Sequence, residues 1–534
     1  MRRSVVASVL LLVVLATPSG AFSTASVGLR PKSKAGRPAQ VGVRMRGGAG
    51  SYRMSTAARQ VATLPPMFTG PLPSYCRAVL FDIDGTLADS FQLAFTATNK
   101  VLTNHQYDPV DAEQYHYGCR FTTPVRLATH AGLKPDDPEF EKVGRTLGQE
   151  FDELYISLVD ETTAGFYPGI KELIDGLPGD VKIGALTNAA VAYAEAVLKA
   201  NGVRARFAAV HGADDVPRPK PAPDGLLQCL REMEVDPGDA VYIGDSPSDG
   251  QAALQAGCAS VAVPWGANKP EALVGFFDTI VHSVPSLADV LTPPPWEGGV
   301  HVLLDRDGVV NEDVGSPGVL TSEQVVLAAG ADRAISTLRD RGCRVSLVTN
   351  QNALGKGLLS LASLYSIHSR LLEAVPGVCD VFVAVGVEKL SGPEGERSPG
   401  AAGARDPAVL GSRKFASKPM PDIISAALQQ AGSGPCAHAH DDAGGSGCAK
   451  GKAATSVLIG DNITDLIAGK RAGVDVLVLV TSSEHGREAA AAVRRRGLEE
   501  SWGVTTSEAE EILSRMSVCA TLEDALERVG ALAA

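Results

Sequence analysis

Acidic residues are missing from the start of this 534-residue chain: no Asp or Glu precedes Asp82, while Arg and Lys recur from Arg2 to Arg59. Folded surfaces mix both signs of charge, so this acid-free stretch is excluded from the globular part. A basic excess is missing from the chain as a whole, whose formal charge is −12. That excludes a nucleic-acid or anionic-membrane partner, either of which needs a basic surface. Aromatics are few, at 5%, and the nine cysteines from Cys76 to Cys519 form no spaced framework. An odd number of scattered cysteines in a long chain fits free thiols in a reducing compartment, not a disulfide scaffold. What is present is globular material: 45% hydrophobic and 21% charged residues, with 56 Gly and 33 Pro for long connections. A chain of this length is expected to form two or three domains.

The acid-free stretch has its own grammar. Arg2-Arg3 precede an apolar run from Val5 to Ala16, followed by Pro18-Ser19-Gly20-Ala21-Phe22. That is the charged start, apolar middle and small-residue cleavage site of a signal peptide over residues 1–21. The run falls short of the ~20 residues that span a bilayer. Residues 22–70 continue Ser-, Ala- and Arg-rich without acids, as a transit peptide does. A signal peptide joined to a transit peptide, with Phe22 at the junction, resembles the bipartite leaders of plastid proteins in algae with secondary plastids. Plastid localisation is therefore expected, with secretion as the alternative. No membrane partner is expected once the leader is removed.

From Cys76 to about residue 290, apolar strand-like runs alternate with helical patterns, as parallel α/β architecture requires. The strand candidates are Ala78–Phe81, Val181–Leu186, Ala208–His211, Ala240–Ile243 and Ser260–Val263. Residues 91–165 interrupt the first two with helical patterns only, which predicts a helical cap above the carboxyl ends of the strands. Residues 291–299, rich in Pro and Gly, read as a linker. The pattern then restarts over residues 300–534, with low-complexity insertions at 391–412 and 431–455. The interval between its first two motifs is too short for a comparable cap. The tail from Ser507 to Ala534 reads as helix packed on the second domain.

The chemistry starts at the end of the first strand, Phe81-Asp82-Ile83-Asp84-Gly85-Thr86. Core packing asks for no acids there, whereas metal-assisted phosphoryl chemistry needs a nucleophile or ligand beside a proton shuttle. Three further pieces follow. Leu186-Thr187-Asn188 offers a hydroxyl and an amide for phosphoryl oxygens, and Arg218-Pro219-Lys220-Pro221 holds an ammonium among prolines. Gly244-Asp245-Ser246-Pro247-Ser248-Asp249 supplies two acids suited to a divalent metal, for which Mg²⁺ is the natural ion. The second half repeats every piece in order: Asp305 and Asp307, Thr349-Asn350, Lys418-Pro419, then Gly460-Asp461 through Asp465. Single strand-end acids are usually helix caps or turn formers. Four pieces in one order, each after an apolar strand and found twice, exclude that account.

Both halves resemble the haloacid dehalogenase superfamily of phosphohydrolases. The resemblance implies an α/β fold with two Rossmann-like parallel-sheet domains in tandem, the first capped by a helical insertion and the second essentially capless. It implies an aspartyl-phosphate mechanism with Asp82 and Asp305 as nucleophiles and Asp84 and Asp307 as acid/bases. Thr187, Asn188 and Lys220, with Thr349, Asn350 and Lys418, would hold the phosphoryl group. One Mg²⁺ per domain would be held by Asp82, Asp84 (through its carbonyl), Asp245 and Asp249, and by Asp305, Asp307, Asp461 and Asp465. The dehalogenating branch lacks the second Asp of the pair, so Asp84 and Asp307 argue against it.

The first half, Phe-Asp-Ile-Asp-Gly-Thr-Leu-Ala-Asp-Ser with a cap, resembles the phosphoglycolate phosphatase and β-phosphoglucomutase group. The second, with Leu304-Asp305-Arg306-Asp307-Gly308-Val309 and Thr349-Asn350-Gln351, is similar to capless histidinol-phosphate and heptose-bisphosphate phosphatases. Its Thr-Asn-Gln segment is also similar to polynucleotide 3′-phosphatases, against which the acidic chain argues. The zinc loop common in the capless enzymes has no counterpart here, since only His368 and Cys379 fall in that interval. Cys436, His438, His440 and Cys448 offer zinc-type ligands inside an insertion, but are read as compositional drift. The expected partner is a small phosphorylated metabolite. A phosphomutase in the first half, or a non-catalytic regulatory half, are the alternatives.

Overall fold

The structure, a computed structural model, describes residues 64–73, 76–119, 121–292, 299–385, 415–431, 455–494 and 504–533. Most of the leader, the linker, the two insertions and the candidate zinc ligands Cys436, His438, His440 and Cys448 lie outside the described residues.

Each half is a parallel α/β sheet. In the first, β2 (Ala78–Phe81) is central, flanked by β3 (Lys182–Leu186) and β4 (Phe207–His211) on one side. On the other side lie β5 (Ala240–Gly244), β6 (Ala259–Ala262) and β7 (Thr279–Ile280). Every residue of β2 is buried, because helices cover both faces of the sheet and leave no face for polar alternation. The second half repeats the order with β8 (Val300–Leu304) central, β9 (Arg344–Asn350) and β10 (Asp380–Ala384) on one side. β11 (Thr455–Gly460), β12 (Val476–Val480) and β13 (Met516–Cys519) lie on the other.

A short strand β1, Met67–Phe68, pairs antiparallel with β7 and parallel with β10, so one 13-stranded sheet runs through both halves. Residues 64–70 therefore belong to the folded body, not to the leader assigned as 22–70. Leu64, Met67 and Phe68 are buried there, and the Phe68 ring stacks on Phe382 with centroids 4.6 Å apart. Thr69 and Gly70 donate their backbone N–H groups to the Asp278 carbonyl, at 2.7 and 3.1 Å. All other pairings between strands of the described residues are parallel, so the antiparallel step at β1–β7 sets the two half-sheets in opposite directions.

The cap is four helices between β2 and β3: α1 (Phe91–Asn104), α2 (Ala112–Gly118), α3 (Thr123–His130) and α4 (Phe140–Ser157). α4 buries Phe140, Leu147, Phe151 and Tyr155, a helical stripe that faces the other cap helices and the core. The tail is corrected too. It is helix Thr506–Arg515, strand β13 and helix Leu522–Ala533, with β13 extending the sheet beside β12. Among the described residues no helix is long and apolar enough to cross a membrane.

Candidate active site

Strand β2 delivers Asp82 with its backbone still in the sheet, its N–H donating to the Ile243 carbonyl at 2.9 Å. The chain then curls. Gly85 takes φ 74°, and Leu87 and Ala88 donate to the Ile83 carbonyl at 3.0 and 2.9 Å. This turn lets two acids spaced for opposite faces serve one end of the strand. A Cβ on Gly85 would collide with the Asp245 carboxylate, so the turn and the acid from β5 are built against each other.

The four pieces meet at this point. Lys220 Nζ lies 2.9 Å from Asp82 Oδ1 and 2.7 Å from Asp249 Oδ1, and all three groups are buried. It also donates to the Tyr242 hydroxyl at 3.0 Å. Asp249 is the third residue of a helix, Pro247–Ala256, whose Ser246 cap it completes by accepting the Ser246 N–H at 3.0 Å. Its two oxygens thus divide the work, one capping the helix and one binding the lysine. Asp82, Asp245 and Asp249 place carboxylate oxygens within 4.8 Å of one another. Among the described residues, Asp82 Oδ1 takes the Ile83 N–H and Lys220, and Asp245 Oδ2 takes the Ala267 N–H at 2.5 Å. Among the described residues the second oxygen of each carries no protein hydrogen bond.

Three buried carboxylates beside one ammonium leave an uncompensated negative charge. Burial pushes Asp82 well up, opposed by Lys220 and reinforced by Asp249 and Asp245. Burial likewise raises Asp245 to about 7, with Asp249 adding to it and the Ala267 N–H opposing. For Lys220, burial acts downward, but Asp249 and Asp82 outweigh it and hold the amine charged. The donor set fits a hard divalent cation that prefers oxygen ligands. Asp82 and Asp245, each with a free oxygen, would hold it directly.

Thr187 ends β3 with its hydroxyl oxygen accepting the Ala189 N–H at 3.0 Å, so its own proton remains to donate. Asn188 behaves differently from the expectation of a phosphoryl contact. Its side chain accepts the Lys220 N–H and donates to the Lys220 carbonyl, both at 3.0 Å. It positions the lysine loop. Asp84 is half-buried, and its Oδ1 accepts hydroxyl protons from Ser90, Tyr155 (3.1 Å) and Tyr193 (2.6 Å). Tyr155 comes from the cap. These hydroxyls were not legible as site residues.

The second half rebuilds the centre. Lys418 Nζ lies 2.9 Å from Asp305 Oδ1 and also pairs with Asp465, and Asn350 again clamps the lysine backbone at 2.9 and 3.2 Å. Asp305, Asp461 and Asp465 converge within 4.8 Å. Gly308, with φ 81°, again leaves room for only the carboxylate of Asp461. Burial raises Asp305, and raises Asp461 to about 6, with Ser483 and Lys418 opposing. Leu458 stands where the first half has Tyr242, three residues before the first metal acid. Thr349 accepts from Gln351 Nε2 at 2.9 Å.

The sites part at the second Asp of each pair. Asp307 is held by Arg306, whose NH2 reaches its oxygens at 2.9 and 2.8 Å, by Asn311 at 3.0 Å and by Gln351 at 3.1 Å. Burial acts to raise this carboxyl, but the Arg306 guanidinium, with the Asn311 and Gln351 amides, brings it below the usual range. Arg306 is itself fully buried, and His368 Nε2 lies 3.2 Å from its NH1.

The description "Haloacid dehalogenase-like hydrolase" matches residues 79–263, and "HAD-hydrolase-like" matches residues 415–498. The chain is 31% identical over 224 residues to a phosphoglycolate phosphatase of Chromobacterium violaceum, covering 41% of this chain and 97% of the relative. It is 32% identical over 218 residues to an N-acetylmuramic acid 6-phosphate phosphatase of Pseudomonas aeruginosa, covering 40% and 94%. Among solved structures it is similar to a CbbY variant from Rhodobacter sphaeroides in complex with xylulose-(1,5)bisphosphate. There the TM-score is 0.36, with 27% identity over 40% of this chain and 96% of that one.

Proposed function

We propose that this chain, which belongs to the haloacid dehalogenase-like hydrolase family, carries two Mg²⁺-dependent phosphatase sites, the first acting on phosphoglycolate or a small sugar phosphate. The observation that carries the reading is Lys220 bridging Asp82 and Asp249, with Asp84 offset on its own hydroxyl donors. The cation, when bound, would neutralise phosphoryl oxygens and orient the ester. Thr187 and Lys220 hold the phosphoryl group while Asp82 forms an O–P bond and the ester P–O bond breaks. Asp84 protonates the leaving oxygen. It then takes a proton from the water that cleaves the aspartyl-phosphate.

Phosphoglycolate carries a carboxylate, and the cap offers a group for it. Arg126 is buried, its guanidinium lies 4.5 Å from the Phe151 ring centroid, and its NH1 donates to Tyr115 at 2.9 Å. Among the described residues no carboxylate pairs with it. Phase-resolved product analysis tests the reading: the Asp305→Asn protein should release inorganic phosphate from phosphoglycolate, and Asp82→Asn should lose that activity. An isomeric sugar phosphate in place of free phosphate would assign a mutase instead.

A second reading of the other half rests on Arg306. With both oxygens of Asp307 occupied by Arg306, Asn311 and Gln351, that half could bind a phosphometabolite without turning it over. The phosphatase reading there, with a histidinol-phosphate-like or sugar-bisphosphate substrate, requires the Asp82→Asn protein to retain activity on part of a phosphate panel. Complete loss would favour the regulatory reading. Residues 1–63 should direct a fluorescent fusion to the plastid, and a secreted fusion would overturn that assignment.

A further inference from the structure

We infer that Tyr155 is a positioning residue through which the cap sets the orientation of the proton-donating Asp84; the inference rests on the phosphatase reading of the first site. Tyr155 lies in the last turn of α4, 71 residues from Asp84 in sequence, and is 2% exposed. Its ring stacks on that of Tyr193, a core residue, with centroids 4.1 Å apart and planes 15° from parallel. The two hydroxyls lie 2.9 Å from each other, and both reach Asp84 Oδ1. Ser90, at the entry to the cap, donates to the same oxygen.

Ser90 and Tyr193 donate to this oxygen, and the single Tyr155 proton is shared between it and the Tyr193 oxygen, so the Asp84 oxygen is an acceptor only. Among the described residues, Oδ2 of Asp84 has no protein partner, so it is the oxygen left to exchange a proton with substrate. The donors fix which way Oδ2 points, as general acid catalysis demands. Tyr193 belongs to a core helix and Ser90 to the junction where the chain enters the cap, whereas Tyr155 belongs to the cap helix α4 and stacks its ring on Tyr193. The chain crosses into and out of the cap beside this cluster, where Asp89 donates to the Gly165 carbonyl and Tyr167 to that of Leu87, both at 2.9 Å. A change in cap position therefore reaches Asp84 directly through Tyr155. In the capless half the corresponding Asp307 is held from its own core, by Arg306, Asn311 and Gln351, with both oxygens engaged.

The test compares leaving groups in the full-length Asp305→Asn protein. Phosphoglycolate expels an alkoxide that needs a proton, whereas p-nitrophenyl phosphate expels a stable phenolate that does not. Tyr155→Phe keeps the stacked ring and removes only the hydroxyl. Its kcat on phosphoglycolate should fall at least tenfold more than its kcat on p-nitrophenyl phosphate, with KM nearly constant. Tyr193→Phe should show the same skew. An equal loss on both substrates would mean a structural role for Tyr155 and overturn the inference, as would no loss on either. Should the Asp305→Asn parent release no phosphate from any ester, the phosphatase reading itself falls, an outcome distinct from a Tyr155-specific failure.

Discussion

Replacing Lys220 by Met tests whether the charge arrangement at the first site is what the fold is built around. Met fills similar volume, so the perturbation is the loss of an ammonium 2.9 Å from Asp82 and 2.7 Å from Asp249. Both acids are buried, Asp249 completely, and neither can be rehydrated without moving the strand ends. Removing one partner of a buried ion pair costs about 3–5 kcal/mol, because the remaining charge is uncompensated. The loss should be measured by urea unfolding in chelator and in excess Mg²⁺. The sign with pH follows from Asp82, which burial already raises above 3.8. A carboxyl raised in the folded state costs nothing while protonated and destabilises once ionised. The defect should therefore grow as pH rises above the ordinary carboxyl range, and shrink again when Mg²⁺ replaces the missing positive charge. A defect that is flat in pH and indifferent to Mg²⁺ would refute the electrostatic account and leave only altered packing.

Four further outcomes are expected. Asp245 at about 7 and Asp461 at about 6 must both ionise to bind a cation, so lowering pH from 8 to 6 should weaken Mg²⁺ activation about tenfold at the first site and about twofold at the second. Activation constants in Asp305→Asn and Asp82→Asn would show it, and activation indifferent to pH would contradict the ionisation argument. By the same raised values, the metal-free protein should lose stability as pH rises from 3.8 toward 7. Gly85→Ala combines a left-handed φ of 74° with a clash against Asp245, and should cost about 1–2 kcal/mol while removing Mg²⁺ activation at the first site alone; normal activation would refute the clash. Phe68→Ala should cost about 3–5 kcal/mol in urea unfolding because the ring is buried on Phe382 at the joint between half-sheets. A loss below about 1 kcal/mol would mean the joint is not packed as described.

The reacting groups were legible because their chemistry conflicts with their surroundings. Nothing apolar explains Asp82 or Asp245 at the ends of buried strands or Lys220 set among prolines, and the duplicate at Asp305, Asp461 and Lys418 removes coincidence. The groups that orient them were hidden for the opposite reason. Tyr155, Tyr193 and Tyr242 sit at core positions of helices and a strand, where a ring is the default and a hydroxyl leaves no periodic trace. Arg306 was visible inside the motif, but its role depends on the side chain folding back onto the next residue. The clamp that Asn188 and Asn350 place on the lysine backbone left no mark in the sequence, since an amide that fits a phosphoryl oxygen fits a backbone peptide equally well. β1 was unreadable because two residues have no period. β13 was lost in the tail because a four-residue strand between two amphipathic helices keeps their apolar content.

The joint at β1 decides how the two sites relate. Reactive residues follow the carboxyl ends of β2, β3 and β5 in the first half and of β8, β9 and β11 in the second. Because β1 pairs antiparallel with β7 and parallel with β10, those ends emerge from opposite edges of the sheet. Between β2 and β8 stand six intervening strands, hence seven spacings, or about 34 Å along a flat sheet. Neither the cap over Asp84 nor the Arg306 cluster can therefore close over both sites at once. A product leaving one half must cross bulk solvent to enter the other, where it competes with the same molecule from any other source. The gain from fusion in this architecture is structural. Strand β1 covers what would be two exposed sheet edges, those of β7 and β10, and it joins their cores through Met67 and Phe68.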